Sequence, residues 1–311
     1  MDQPTLSIVI PVFNSEATIA TLLERLTGAL DAVGESYEII LVDDGSADRS
    51  WEALKAQRAR YDRRIVLVQL MRNFGQHNAV MCGFRHAKGE FVVTMDDDLQ
   101  NPPEEVRVLL DHIRGSGADV VYGAYATYRE KKSGAFRHAG SAMIRFFYRF
   151  AFKINVETTS FRIIRNKTLQ SILAYDLNYT YIDGLLAWST RRIEQVRVQH
   201  SPRTQGRSGY SIGKLLVLAV NLFTNFSLLP LQMASALGVL AALGGLTVAV
   251  YYLVQYFLAN IIIPGYASIV VAVLVLGGLQ LLALGVVGEY LGRVHLNINR
   301  KPQYVEREVV T

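Results

Sequence analysis

Short β-branched runs along the first hundred residues are separated by longer stretches whose apolar positions recur every three or four residues. Segments 6–10 and 38–42 are runs of the first kind, and 17–33 between them sets Ile19, Leu22, Leu23, Leu26, Leu30 and Val33 at helical spacing. Brief apolar runs bounded by polar turns fit strands, and a stripe of that period fits an amphipathic helix. The pattern repeats, with helices predicted at 50–61 and 76–87 and strands at 65–70 and 91–95. Such alternation predicts a mostly parallel sheet with helices on both faces, whose ligands bind beyond the C-terminal ends of the strands.

Each of those strand ends carries polar residues: Pro11 to Glu16, Asp43-Asp44-Gly45-Ser46, Arg72-Asn73-Phe74-Gly75, and Asp96-Asp97-Asp98-Leu99-Gln100-Asn101-Pro102-Pro103-Glu104. Three successive carboxylates beside a buried strand repel one another and lose hydration, which a cation among them relieves. If the strand stays extended, Asp96, Asp98 and Gln100 share one side and Asp97 takes the other, a structural place. Oxygen ligands without His or Cys suit Mg2+ or Mn2+. A solvated acidic turn before a helix opening at Pro102-Pro103-Glu104-Glu105 is the plainer account of the same residues. Neither the dinucleotide G-x-G-x-x-G nor a P-loop follows the first strand, so a nucleotide here is not held as in a dehydrogenase or a P-loop ATPase.

The hydrophobic pattern changes character after residue 214. From 215 to 288 there is no Asp, Glu, Lys, Arg or His. A helix needs about 20 apolar residues to cross a bilayer. Segments 231–258 and 266–288 suffice, joined by 260–265, whereas 215–229 ends at Pro230 and is too short, which predicts a juxtamembrane interfacial helix. Arg293, Arg300, Lys301 and Arg307 then put the tail on the cytoplasmic side with the N-terminal domain. Gly238, Gly244, Gly245, Gly277, Gly278 and Gly285 leave room for close helix contact and for a homo-oligomer. The first apolar run is short, broken by Pro11 and lacks a basic flank, so it predicts a strand and not a signal peptide. One cysteine, Cys82, precludes an internal disulfide and fits a packed thiol.

The net charge of +5 does not call for nucleic acid, because the basic residues cluster where a membrane surface accounts for them. Residues 129–167 hold ten Lys or Arg against Glu130 and Glu157, interleaved with aromatic bulk. Arg137, Ser141, Arg145 and Arg149 recur every four residues along one helical face, suited to an anionic lipid surface or to plain solvation over a core stripe. The Gly-rich segment 200–211 holds Arg203 and Arg207, which serve either to close over an anionic ligand or as a linker to the membrane. The chain thus divides into a nucleotide-side core at 1–128, an acceptor side at 129–214, the juxtamembrane helix at 215–230, two spans at 231–288 and a tail at 289–311.

Ser7-Ile8-Val9-Ile10-Pro11-Val12-Phe13-Asn14, Asp43-Asp44-Gly45-Ser46, Arg72-Asn73-Phe74-Gly75-Gln76 and the acidic segment 96–104 together resemble the motifs of family 2 glycosyltransferases. The likeness is to the polyprenyl-phosphate branch, such as dolichyl-phosphate mannose synthase and the bacterial enzymes that load glucose or formamido-arabinose onto undecaprenyl phosphate. It implies an α/β GT-A domain, Rossmann-like, with interfacial helices and two transmembrane helices. It further implies inverting transfer from a UDP- or GDP-sugar to undecaprenyl phosphate at the cytoplasmic face of the inner membrane, for cell-envelope glycan modification. On that resemblance Pro11, Glu16, Asp43 and Asp44 hold the donor, and Asp96, Asp98 and Gln100 form the metal and diphosphate site. Arg137 and Ser141 match a pair that grips the lipid phosphate, with Arg129 near a second basic position, and Arg203 matches an arginine that closes over the donor. Two positions depart from the pattern, Ser160 where an acid is common and Tyr125 where the bacterial enzymes commonly carry Arg; both bear on the sugar and the acceptor and leave the metal residues intact. A hydroxyl acceptor would instead need a carboxylate base, for which Asp183 is the candidate. A catalytically silent nucleotide-sugar-binding membrane partner is the alternative outside enzymes.

Overall fold

The computed structural model describes residues 3–61, 64–125, 156–176, 180–199, 229–259, 265–299 and 301–311. Arg129, Arg137, Ser141, Arg203 and most of the juxtamembrane segment lie outside the described residues.

Strands β1 (Leu6–Val12), β2 (Tyr37–Asp43), β3 (Ile65–Leu70) and β4 (Phe91–Thr94) alternate with α1 (Ile19–Val33), α2 (Ser50–Tyr61) and α3 (Gln76–His86). A 3-10 turn at Pro103–Glu105 leads into α4 (Val106–Ser116), followed by β5 (Val120–Tyr125), β6 (Arg162–Arg165), α5 (Asn166–Leu173), α6 (Ile182–Ser189) and β7 (Ile193–Val198). With the last strand, β8 (Glu306–Val310), they form one eight-stranded sheet in the order β7-β5-β6-β4-β1-β2-β3-β8. Pairing is parallel for β1 with β2 and β4, for β2 with β3 and for β5 with β7, while β6 and β8 run antiparallel to their neighbours.

Strand alternation divides the core in two. Leu6, Ile8, Ile10 and Val12 of β1 join α1, α2 and α4 on one face, whereas Val9 joins α3, α5 and α6 on the other. Helix α1 has no side-chain cap at its N-terminus, a loss of about 1 kcal/mol. Its buried Ile19, Leu22, Leu23, Leu26 and Leu30 each contribute on the order of 1.5–3 kcal/mol, so packing decides its position.

Strand β8 departs from the tail expected for 289–311. It pairs with β3, setting Val68 opposite Val309 and Gln69 opposite Glu308, and Met71 N–H donates to the Val305 carbonyl at 2.9 Å. Three of its five residues are charged, a pattern that reads as solvated tail; the unpaired edge of β3 supplies the backbone partners that sequence periodicity does not register.

Residues 210–300 form a second unit. Its helices α7 (Leu229–Ala259) and α8 (Tyr266–Ile298) are the two among the described residues long and apolar enough to cross a membrane. Leu243, Leu246, Leu281 and Leu284 stay exposed, as lipid-facing positions are. Helix α7 starts one residue before Pro230, which sits in its first turn where the missing N–H costs nothing. Helix α8 continues past Gly288 to Ile298 because Leu291, Val294 and Ile298 sustain the helical period through the charged stretch. A Cβ built on Gly238, Gly244, Gly277 or Gly278 meets nothing within 4 Å, so contact between α7 and α8 does not require these glycines.

Candidate active site

Parallel pairing of β1 with β2 and β4 brings the C-terminal ends of these strands to one edge, and β1, flanked on both sides, opens a crevice there. A cleft of about 290 Å3 occupies it, lined among others by Pro11, Phe13, Asp44, Gln76, Asp96 and Asp98. A smaller cavity of about 90 Å3 shares Pro11, Gln76 and Asp96 and adds His77, Ser160, Arg162 and Asp183.

The four strand-end segments are bolted to one another. Asp44 accepts the backbone N–H groups of Phe74 at 2.7 Å and Gly75 at 2.9 Å, which fixes the loop after β3. Gly45 allows this approach: its φ is +66°, and a Cβ there would lie 2.4 Å from the Arg72 carbonyl carbon. Asp43 sits below, fully buried, taking the Ser46 N–H and the Gln69 amide, and lines neither cavity. Exposed Glu16 accepts the Arg49 N–H on the loop after β1 and also lines neither.

The acidic segment is a turn and not extended strand. Strand β4 ends at Thr94, and Leu99 takes a left-handed φ of 60°, strained for a bulky residue and placed beside the carboxylates. Side-chain alternation therefore does not carry through it. Asp96, Asp97 and Asp98 all line the cleft, whereas Gln100 does not; its backbone N–H donates to Asp98 Oδ1 at 3.1 Å. Asp97 is held by the Ser15 hydroxyl at 2.5 Å and the Phe13 N–H at 3.3 Å, tying the end of β4 to the end of β1. Asp96 accepts from the Gln76 amide and the Ser160 hydroxyl, both at 2.6 Å.

Burial pushes the Asp96 carboxyl above its usual range, opposed by the Ser160 hydrogen bond and reinforced by the Asp98 charge. Burial likewise raises Asp97 to about 6. Asp96 and Asp98, which line one cleft and act on each other through their charges, offer oxygen donors of the kind that fits a hard divalent cation.

Beyond Asp96 lies a polar network that sequence reading did not assemble. Arg162 of β6, 3% exposed, pairs with Asp183 Oδ1, which also accepts the Tyr122 hydroxyl at 2.8 Å; its Nε donates to Thr94 Oγ1 at 3.1 Å. Asp183 is thus engaged by a cation and a phenol, an arrangement that suits a positioning group better than a proton acceptor. Half-buried His77 packs edge-on against Tyr181 at 5.2 Å, and burial lowers its pKa. Ser160 was singled out as a departure, but its contact with Asp96 depends on antiparallel pairing of β6 with β4, which no local motif announces. Tyr125 donates to Asn101 Oδ1 at 2.6 Å at the back of the acidic turn.

A model of the family described as Glycosyl transferase family 2 matches residues 7–173. The chain belongs to glycosyl transferase family 2. This glycosyltransferase is 34% identical over 98% of its length to the undecaprenyl-phosphate 4-deoxy-4-formamido-L-arabinose transferase of Edwardsiella ictaluri, covering 94% of that protein. It is 36% identical to the transferase of the same name from Pseudomonas aeruginosa, over 98% of this chain and 90% of the relative. Among solved structures, glucosyl-3-phosphoglycerate synthase from Mycobacterium tuberculosis, in complex with Mn2+, UDP-glucose and phosphoglyceric acid, superposes with a TM-score of 0.51 at 20% identity. That match covers 70% of this chain and 79% of the synthase, a likeness of the GT-A fold.

Proposed function

We propose that this glycosyltransferase moves a sugar, with inversion, from a UDP- or GDP-sugar to undecaprenyl phosphate at the cytoplasmic face of the inner membrane, with Mg2+ or Mn2+ as cofactor. The observation that carries the reading is a carboxylate-lined cleft on a chain that shares nearly its whole length, apolar helices included, with transferases named for undecaprenyl phosphate.

The cleft at the ends of β1, β2 and β4 receives the nucleotide, with Pro11 and Asp44 in its wall and Glu16 and Asp43 supporting the loops around it. Asp96 and Asp98 would hold the metal, with Gln100 orienting Asp98 through its backbone. A bound divalent ion supplies charge neutralisation for the departing nucleoside diphosphate. The acceptor needs no general base, since a phosphate monoester with a second pKa of about 6 is already anionic at neutral pH. Its oxygen attacks the anomeric carbon as the bond to the nucleoside diphosphate breaks. What remains for the protein is placement. Arg129, Arg137 and Ser141 are assigned to the lipid phosphate and Arg203 to closure over the donor.

The return of β8 into the N-terminal sheet supports two crossings. Its strand follows α8, yet it pairs with β3, which favours a chain that ends on the side where it began. Arg293, Lys301 and Arg307 favour the cytoplasm for that side.

The test is the detergent-purified full-length protein, supplied with undecaprenyl phosphate, Mn2+ and a panel of UDP- and GDP-sugars, with the glycolipid read by mass spectrometry. One donor should yield a phosphate-linked sugar lipid. Absence of product with every donor would overturn the assignment.

A further inference from the structure

Away from the cleft, Cys82 and His86 lie one helical turn apart on α3, and Glu306 of β8 reaches them from more than 200 residues along the chain. Cys82 Sγ is 3.3 Å and His86 Nε2 3.0 Å from Glu306 Oε1, and the three ligand atoms all lie within 4.8 Å of one another. A tetrahedral ion with bonds of about 2.0–2.3 Å sets its ligand atoms roughly 3.3–3.8 Å apart, so small side-chain shifts would admit one. We propose that Cys82, His86 and Glu306 form a second metal site, specific for Zn2+ or a similar transition metal, that staples the returning strand β8 to α3.

Ligand chemistry separates it from the acidic cleft. Sulfur and imidazole nitrogen favour zinc, whereas the cleft offers oxygen alone. A thiolate and a carboxylate neutralise a divalent ion within the domain, and His86 and Glu306 are partly exposed, leaving a route in and room for a water as fourth ligand. The other polar groups facing the cluster are Tyr304, whose hydroxyl is within hydrogen-bond reach of the sulfur, and Arg85, which also donates to the Leu173 carbonyl at 3.3 Å. Without a cation, burial and the Glu306 carboxylate hold the thiol strongly in its protonated form, so metal uptake must release that proton. The staple would fix β8, whose preceding residue Val305 anchors Met71 at the start of the loop that Asp44 caps.

Cobalt(II) reports thiolate ligation by near-ultraviolet charge-transfer absorption, and the chain has a single cysteine, so any such band belongs to Cys82. Full-length protein stripped with a chelator should develop the band to one equivalent of Co2+ and lose it on adding Zn2+. The band should persist in Asp98→Ala and weaken at least tenfold in apparent affinity in His86→Gln and Glu306→Gln. No thiolate band in the wild-type protein with excess Co2+ would overturn the site, as would a band of unchanged affinity in both variants.

Discussion

Asp96 and Asp183 line the same small cavity, yet they are provisioned in opposite ways. Asp183 comes with its own cation: Arg162 and the Tyr122 hydroxyl converge on one of its oxygens, all three nearly excluded from water. Asp96 has the neutral donors Gln76 and Ser160; the Asp98 charge raises its pKa further, and the Arg162 charge, bonded to Asp183, acts on it only through space. A buried carboxylate that the fold has neutralised serves the structure. One met mainly by neutral donors and a like charge is the kind that a cation from outside would relieve.

The largest effect should come from removing a carboxylate proposed to hold that cation. Asp98→Ala should cost turnover at least about a thousandfold, roughly 4 kcal/mol in the barrier, with little change in melting temperature. Retention of a tenth of wild-type activity at saturating Mn2+ would break the contrast. Asp183→Ala should do the reverse, lowering stability by about 3–5 kcal/mol because Arg162 stays buried without its partner. Its readout is a thermal melt. The milder Asp183→Asn, assayed where it is folded, should keep lipid-phosphate turnover within about tenfold; complete loss would restore Asp183 as a general base.

A third effect is a pH dependence. Asp97 titrates near 6 in the fold against an ordinary 3.8, so the folded state binds its proton more tightly than the unfolded chain does. Stability in the presence of chelator should therefore fall as pH rises from about 4 to about 6, by on the order of 1–3 kcal/mol, and level off above. Asp97→Asn should flatten this slope in melts across that range, and a saturating divalent ion should shrink it. The smallest effect belongs to Ser160→Ala. Losing a hydrogen bond worth about 1 kcal/mol raises the Asp96 pKa further, so the acid limb of kcat/KM should move to higher pH while activity at pH 8 changes little.

Much of the first half of the fold was legible because its signals are local. The α1 stripe and the β-branched runs of β1 to β4 appear in the structure within about two residues of the segments read from periodicity. The acidic segment was legible as chemistry and misread as geometry: extended alternation grouped Gln100 with Asp96 and Asp98, but the left-handed Leu99 turns the chain and leaves Gln100 outside the cleft. Strands β6 and β8 were not seen, because four or five residues rich in Arg or Glu carry no period of their own and become strands only beside β4 and β3.

Sequence by itself determined what depends on neighbours along the chain: the alternation that makes an α/β sheet, the uncharged stretch after residue 214, and the strand-end carboxylates that ask for a metal. Tertiary structure decided what partner each carboxylate receives, neutral or charged. That choice rests on contacts between residues far apart, Ser160 on Asp96, Arg162 on Asp183 and Glu306 on His86, whose free energies exist only once distant strands have paired and water has been excluded.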